Sequence, residues 1–128
     1  MKSNYNTRKV YAIESKWQRE EWSIKKLRNL SVKIWNNEAP QIWKKFPPKV
    51  VAGKGIKYNG KYLSYCLGRS YIELSRNQRD PKVLVHEITH ALVGGMVCGH
   101  NQTFWNKMVY LLTKYKIRTD IKNGYRIR

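Results

Sequence analysis

The sequence predicts an α+β domain in which helices flank a small sheet of about three antiparallel strands. Three observations point there. Apolar residues recur at helical spacing from Tyr11 to Asn36, the pattern changes to short β-favouring runs between Lys49 and Ser75, and helical spacing returns after Asp80. The 128 residues suffice for one core and leave little room for a second module, so a single domain is expected to carry the whole function.

Residues 1–10 are polar and basic without a period, and read as a flexible arm. Between Tyr11 and Asn36, Ile13, Trp17, Ile24, Leu27, Ile34 and Trp35 are spaced among Lys, Arg and Glu as the buried stripe of one or two amphipathic helices. Pro40, Pro47 and Pro48 end that structure, because proline lacks an amide proton and disfavours helix in the residue before it. Strands are predicted at Val50-Val51, Tyr62 to Leu67 and Tyr71 to Leu74, divided by Gly53, Gly55, Asn59-Gly60 and Gly68. Asn59-Gly60 is a hairpin signal, since both residues tolerate the positive φ of a tight turn.

Asp80-Pro81 is a helix start: the carboxylate can cap free amides, and proline suits the first helical position. That helix should run to about Val93 and stop at Gly94-Gly95. A last helix from about Gln102 to Lys116 would bury Phe104, Met108, Leu111, Leu112 and Tyr115. Residues 117–128 then form a basic tail.

Basic residues outnumber acidic ones 26 to 8, giving a formal charge of +18, far beyond what solubility requires. An anionic partner is expected, with DNA foremost, because lysine and arginine gain affinity from phosphates by counterion release without reading bases. Lys25, Lys26, Arg28, Lys44 and Lys45 precede the site described next, and Lys114, Lys116, Arg118, Lys122, Arg126 and Arg128 follow it, the tail being the better DNA track. No apolar run is long enough to span a membrane and the opening lacks a signal-peptide centre, so a cytoplasmic monomer is expected. Cys66 and Cys98 are too few for a disulfide scaffold and read as free thiols that pack.

The chemistry-bearing segment is His86-Glu87-Ile88-Thr89-His90. On a helix, residues four apart lie one turn apart on nearly the same face, so His86 and His90 present their imidazoles to a common point. Glu87 lies beside that face, where its carboxylate can reach a zinc-bound water without ligating. Zinc lowers the pKa of its water to roughly 7, and a nearby carboxylate takes the proton as the water attacks a carbonyl. A catalytic zinc needs three protein ligands and an open position. His86, His90 and His100 are the three histidines of the chain, and His100 follows a glycine turn that can fold it back over the helix. Of the upstream acids, Asp80 is explained as a cap and Glu73 would sit on a strand. Such a string also arises by chance on helices; what raises this one is a helix with both caps, apolar flanks and a histidine in the next turn.

The segment Ile72 to Met108 resembles the SprT-like zinc metallopeptidases, the group that includes Spartan, and small metallohydrolases of related type in actinobacteria and their phages. The matching pieces are Ile72-Glu73-Leu74-Ser75, His86-Glu87-Ile88-Thr89-His90-Ala91-Leu92, and Gly99-His100 followed by Phe104, about a third of the chain. Val10-Tyr11-Ala12-Ile13-Glu14 is a weaker match to the opening of the actinobacterial group. The resemblance implies a zincin-like domain with His86, His90 and His100 as zinc ligands, Glu87 as catalytic residue, and an edge strand near Tyr71 to Ser75 holding extended substrate. It also implies peptide-bond hydrolysis on proteins bound or crosslinked to DNA. Two features depart from the pattern: Asn101 stands where many members have glycine, and there are no cysteine pairs for a C-terminal zinc ribbon. The spacing from His90 to His100 is too long for a metzincin.

The competing expectation is a nucleic-acid-binding module with a structural or inactive zinc, its Tyr58, Tyr62, Tyr65, Tyr71 and Trp residues stacking on single-stranded bases. Periodic aromatics more often face a core. Glu87 discriminates, since a structural zinc needs no base beside its ligands.

Overall fold

The computed structural model describes Glu14, residues 19–94 and residues 100–117. The arm at 1–10, Ile13, Trp17, Gly95, Cys98 and the tail beyond Ile117 lie outside the described residues. Within them the architecture is α+β: three helices, α1 (Ile24–Glu38), α2 (Pro81–Val93) and α3 (Gln102–Lys114), and five strands, β1 (Lys49–Ala52), β2 (Ile56–Tyr58), β3 (Lys61–Leu63), β4 (Tyr65–Leu67) and β5 (Tyr71–Leu74). Glu14 is helical as well.

Helix α1 starts where the Ser23 hydroxyl oxygen accepts the Lys26 amide at 3.1 Å. It ends at Ala39, whose extended conformation (ψ 147°) is the one a following proline demands. Leu27, Ile34 and Trp35 are fully buried. The Trp35 indole N–H donates to the Trp43 carbonyl at 2.9 Å, which ties a short 3-10 turn at Gln41–Trp43 back onto the helix.

The sheet differs from the purely antiparallel expectation. Its order is β1-β5-β4, with β1 parallel to β5 and β4 antiparallel to it, and β2-β3 form a separate two-stranded hairpin around Asn59-Gly60. A parallel pair needs a long crossover. Here the chain from Gly53 to Ser70 supplies it, carrying the hairpin and β4. The predicted strand Tyr62 to Leu67 is broken at Ser64, whose amide donates to Gln78 Oε1 at 2.6 Å and whose hydroxyl accepts the Ser75 amide at 2.9 Å. Tyr71–Leu74 is therefore the central strand, paired on both sides, and cannot be the substrate-holding edge expected from the resemblance; β4 and β1 are the edges.

Helix α2 begins as its sequence predicts, with Asp80 Oδ1 accepting the Lys82 amide at 2.7 Å and Pro81 in the first turn. Asp80 Oδ2 also accepts the Glu20 amide at 2.7 Å, so this one carboxylate joins the helix start to the strand-free segment before α1. Buried residues occur nearly all round α2, the mark of a central helix. Leu84, Val85, Ile88 and Ala91 pack with α1 residues, with Ile72 and Leu74 of β5, and with Phe104, Met108, Leu111 and Leu112 of α3 in one core. Arg69 donates to the Ala91 and Leu92 carbonyls at 2.9 and 3.3 Å and satisfies the end of the helix. Gly94 follows at φ +101°.

Asn101 caps α3: its side-chain oxygen accepts the Phe104 amide at 2.9 Å. The helix ends at Lys114, two residues earlier than predicted. Lys116 takes a left-handed conformation (φ 56°), and Ile117 donates its amide to the Leu112 carbonyl at 2.9 Å, a closure that helices usually build on glycine. Ile117, the first residue of the predicted basic tail, is buried against the core.

Candidate metal centre

The i, i+4 spacing on α2 brings His86 and His90 to one face, and His100 comes back from beyond the helix end to meet them. His86 Nε2 lies 2.9 Å from His100 Nε2, and His90 Nε2 lies 3.2 Å from it. Bonds of 2.0–2.1 Å to a tetrahedral zinc set neighbouring nitrogens about 3.3 Å apart. The three Nε2 atoms thus fit the donor set of one such ion, and these histidines would hold it. Such a set of imidazoles suits a divalent transition-metal cation.

Phe104 is the platform under the cluster. Its ring centroid is 5.0, 4.5 and 4.7 Å from those of His86, His90 and His100, and it is 1% exposed. Packing on all three imidazoles removes much of their rotamer freedom before any ion binds.

Glu14 was not among the residues the sequence singled out as part of the site. Its Oε2 lies 2.5 Å from His86 Nδ1. A carboxylate there accepts the Nδ1 proton, which leaves the Nε2 lone pair facing the cluster and raises its basicity as a ligand. Glu14→Ala should weaken zinc affinity by about 10–100-fold, with Glu14→Gln in between because its amide oxygen still accepts, as measured by competition with a chromophoric chelator. Equal affinity in all three proteins would remove Glu14 from the centre.

Burial disfavours the charged form of each histidine, but the outcomes differ. At His86 the charge and hydrogen bond of Glu14, with the charge of Glu87, outweigh burial, and its pKa is raised. Burial and then the charge of His86 lower His90 to about 4, and burial with the charges of His86 and His90 lowers His100 to about 3. Both are neutral, as a ligand must be, whereas Glu14 also favours protonated His86, whose Nε2 proton a metal would displace on binding. Burial raises Glu87, helped by Glu14 and opposed by His86. Cys66 is pushed up to about 12 by burial and by Glu87, so it is a thiol that donates to the Gly68 carbonyl and not a thiolate.

His86 and Glu87 lie together in a cavity of about 790 Å³, whose walls come from the β2-β3 hairpin, Tyr65 of β4 and the start of α2. Glu73, weighed above as a rival ligand, is engaged elsewhere: it accepts the hydroxyls of Tyr71 and Tyr65 at 2.6 and 3.1 Å and the Gly55 amide at 2.7 Å. Asp80 is a cap, ion-paired with the buried Lys82 at 3.1 Å. No protein-family model matches this chain, and no curated protein or solved structure does so.

Proposed function

We propose that the protein is a zinc-dependent metallopeptidase of the SprT-like, zincin-like kind. The observation that carries this is the convergence of three imidazoles, one of which, His86, opens with the buried carboxylate of Glu87 onto a cavity. Zinc bound there would supply a Lewis acid and an acidified water. Glu87 would accept that water's proton and pass it to the leaving amine, while His86 is held in the ligating tautomer by Glu14. The β4 edge supports a place for extended substrate: its backbone pairs with β5 on one side only, and its Tyr65 faces the cavity. A structural zinc would need neither the cavity nor the carboxylate. The direct test is cleavage of an unfolded protein by the zinc-loaded chain, abolished by a chelator and restored by added zinc. Loss of cleavage with no recovery would count against the reading.

DNA is proposed as the partner that brings the enzyme to its substrates. Supporting this are the net charge of +18 and aromatic residues that the structure leaves outside the core. Tyr58, Tyr62 and Trp43 are exposed, Lys57 and Lys54 lie about 6 Å from the Tyr62 ring, and Arg69 lies 5.4 Å from Trp43. The core-packing expectation holds for Trp35, while Tyr65 and Tyr71 are half-buried and bound to Glu73. In the same preparations DNA affinity should fall steeply with salt and vary little with sequence. Weak, salt-insensitive binding would assign the charge to another anion. Among the described residues no helix is long and apolar enough to cross a membrane. We assign the chain to the cytoplasm as a monomer on that proposal alone.

A further inference from the structure

Strand β2 faces β3 with Ile56 opposite Leu63, Lys57 opposite Tyr62 and Tyr58 opposite Lys61. Side chains alternate along a strand, so Ile56, Tyr58, Lys61 and Leu63 share one face while Lys57 and Tyr62 share the other. The cavity containing His86 and Glu87 is lined by Ile56, Tyr58 and Leu63, and neither Lys57 nor Tyr62 contributes to it. Val83, one turn before His86 on α2, continues this apolar wall toward the histidines.

We propose that the β2-β3 hairpin is the specificity wall of the cleft, and that it selects a bulky apolar side chain of the substrate polypeptide beside the bond at the histidine cluster. The inference rests on the peptidase reading. Ile56 and Tyr58 are 52% and 64% exposed, so the hairpin gains little stability from placing apolar groups there. An apolar wall left open inside a cleft that also presents polar groups is the signature of a binding site.

The wall is also held in position. At its near end the Gly55 amide donates to Glu73 Oε2 at 2.7 Å, and a Cβ at this residue (φ +84°) would collide with the Leu63 carbonyl oxygen. At its far end Ser64 is tied to Gln78 and Ser75. A cavity of about 790 Å³ is larger than one side chain, leaving room for neighbouring residues of an extended peptide. The lining sets Glu14, Asp80 and Glu87 against Arg19 and Lys82, so it shows no cationic excess that would draw a phosphate backbone into the cleft.

The test compares the full zinc-loaded chain with Ile56→Thr/Tyr58→Thr and with Tyr62→Thr, which alters the opposite face; threonine keeps the strand propensity in each. The substrates are two matched peptides with Leu or Gly at one variable position. Wild type should prefer the Leu peptide in kcat/KM by about 10-fold or more, the double variant should lose most of that ratio, and Tyr62→Thr should keep it. A wild-type ratio near one, or an unchanged ratio in the double variant, would overturn the proposal. Labelled forms of the same peptides are also titrated onto zinc-loaded Glu87→Gln with and without the hairpin changes. If wild type cuts neither peptide, the peptidase reading fails, and the binding ratio still decides the hairpin: selective loss of Leu-peptide binding supports it, and equal binding of both peptides rejects it.

Discussion

Glu87→Gln is expected to hold zinc at the wild-type stoichiometry and to cleave an unfolded substrate on the order of 100-fold or more slowly. Glutamine has nearly the shape of glutamate, so the packing of α2 around this 7%-exposed side chain is kept. What is lost is the acceptor for a proton. The substitution also removes a charge that burial and Glu14 disfavour more than His86 favours it, so the thermal midpoint should not fall, and reduced cleavage cannot then be ascribed to unfolding. The check is turnover at saturating substrate beside metal content and a melting curve on the same sample. Full activity with zinc retained would take Glu87 out of the mechanism, and lost zinc would make it a ligand or support for one.

The parts of the fold legible in the sequence are those with a local cause. Asp80-Pro81 marks the start of α2 because both of its effects, a capping oxygen and a preset φ, act within three residues. The Asn59-Gly60 hairpin turn is legible for the same reason, and both residues do take positive φ. The pairing of β1 with β5 has no such signal: alternation identifies a strand but not its neighbour or direction. The break at Ser64 depends on Gln78 and Ser75, more than ten residues away. The end of α3 is a third case, since lysine at the left-handed position gives none of the warning that glycine would.

The site divides along the same line. His86 and His90 are readable from helix geometry, and His100 from elimination, because three ligands were needed and three histidines exist. Glu14 is 72 residues from His86 and sits in a stretch that reads as an ordinary amphipathic helix, where glutamate is usually solvated. Its one sequence signal was membership of the Val10 to Glu14 match. The hairpin aromatics err in the other direction. Alternation suggested inward packing for Tyr58 and Tyr62, but a two-stranded ribbon outside the main sheet has no core of its own to cover them.

His100→Ala should reduce zinc binding more than any change in the surrounding shell. Wild type is expected to hold about one zinc per chain. His86 and His90 are preset by one helix and remain after the substitution, but two imidazoles leave half of a tetrahedral ion's positions without protein donors. Nε2 of His100 lies 2.9 and 3.2 Å from those of its partners, so no other described side chain is placed to replace it without moving the chain. Affinity should fall by more than the 10–100-fold expected for an outer-shell partner such as Glu14, so that the order of loss is His100→Ala, then Glu14→Ala, then Glu14→Gln. The substitution Ser23→Ala supplies the control. It removes the α1 cap at a cost of about 1 kcal/mol, on a helix that carries no ligand, so it should lower the melting temperature while leaving zinc affinity near wild type. Competition titration of the four variants against wild type reads the order directly. Zinc content unchanged in His100→Ala would mean that the third donor lies elsewhere in the chain, and the metal centre described here would be wrong in its geometry as well as its membership.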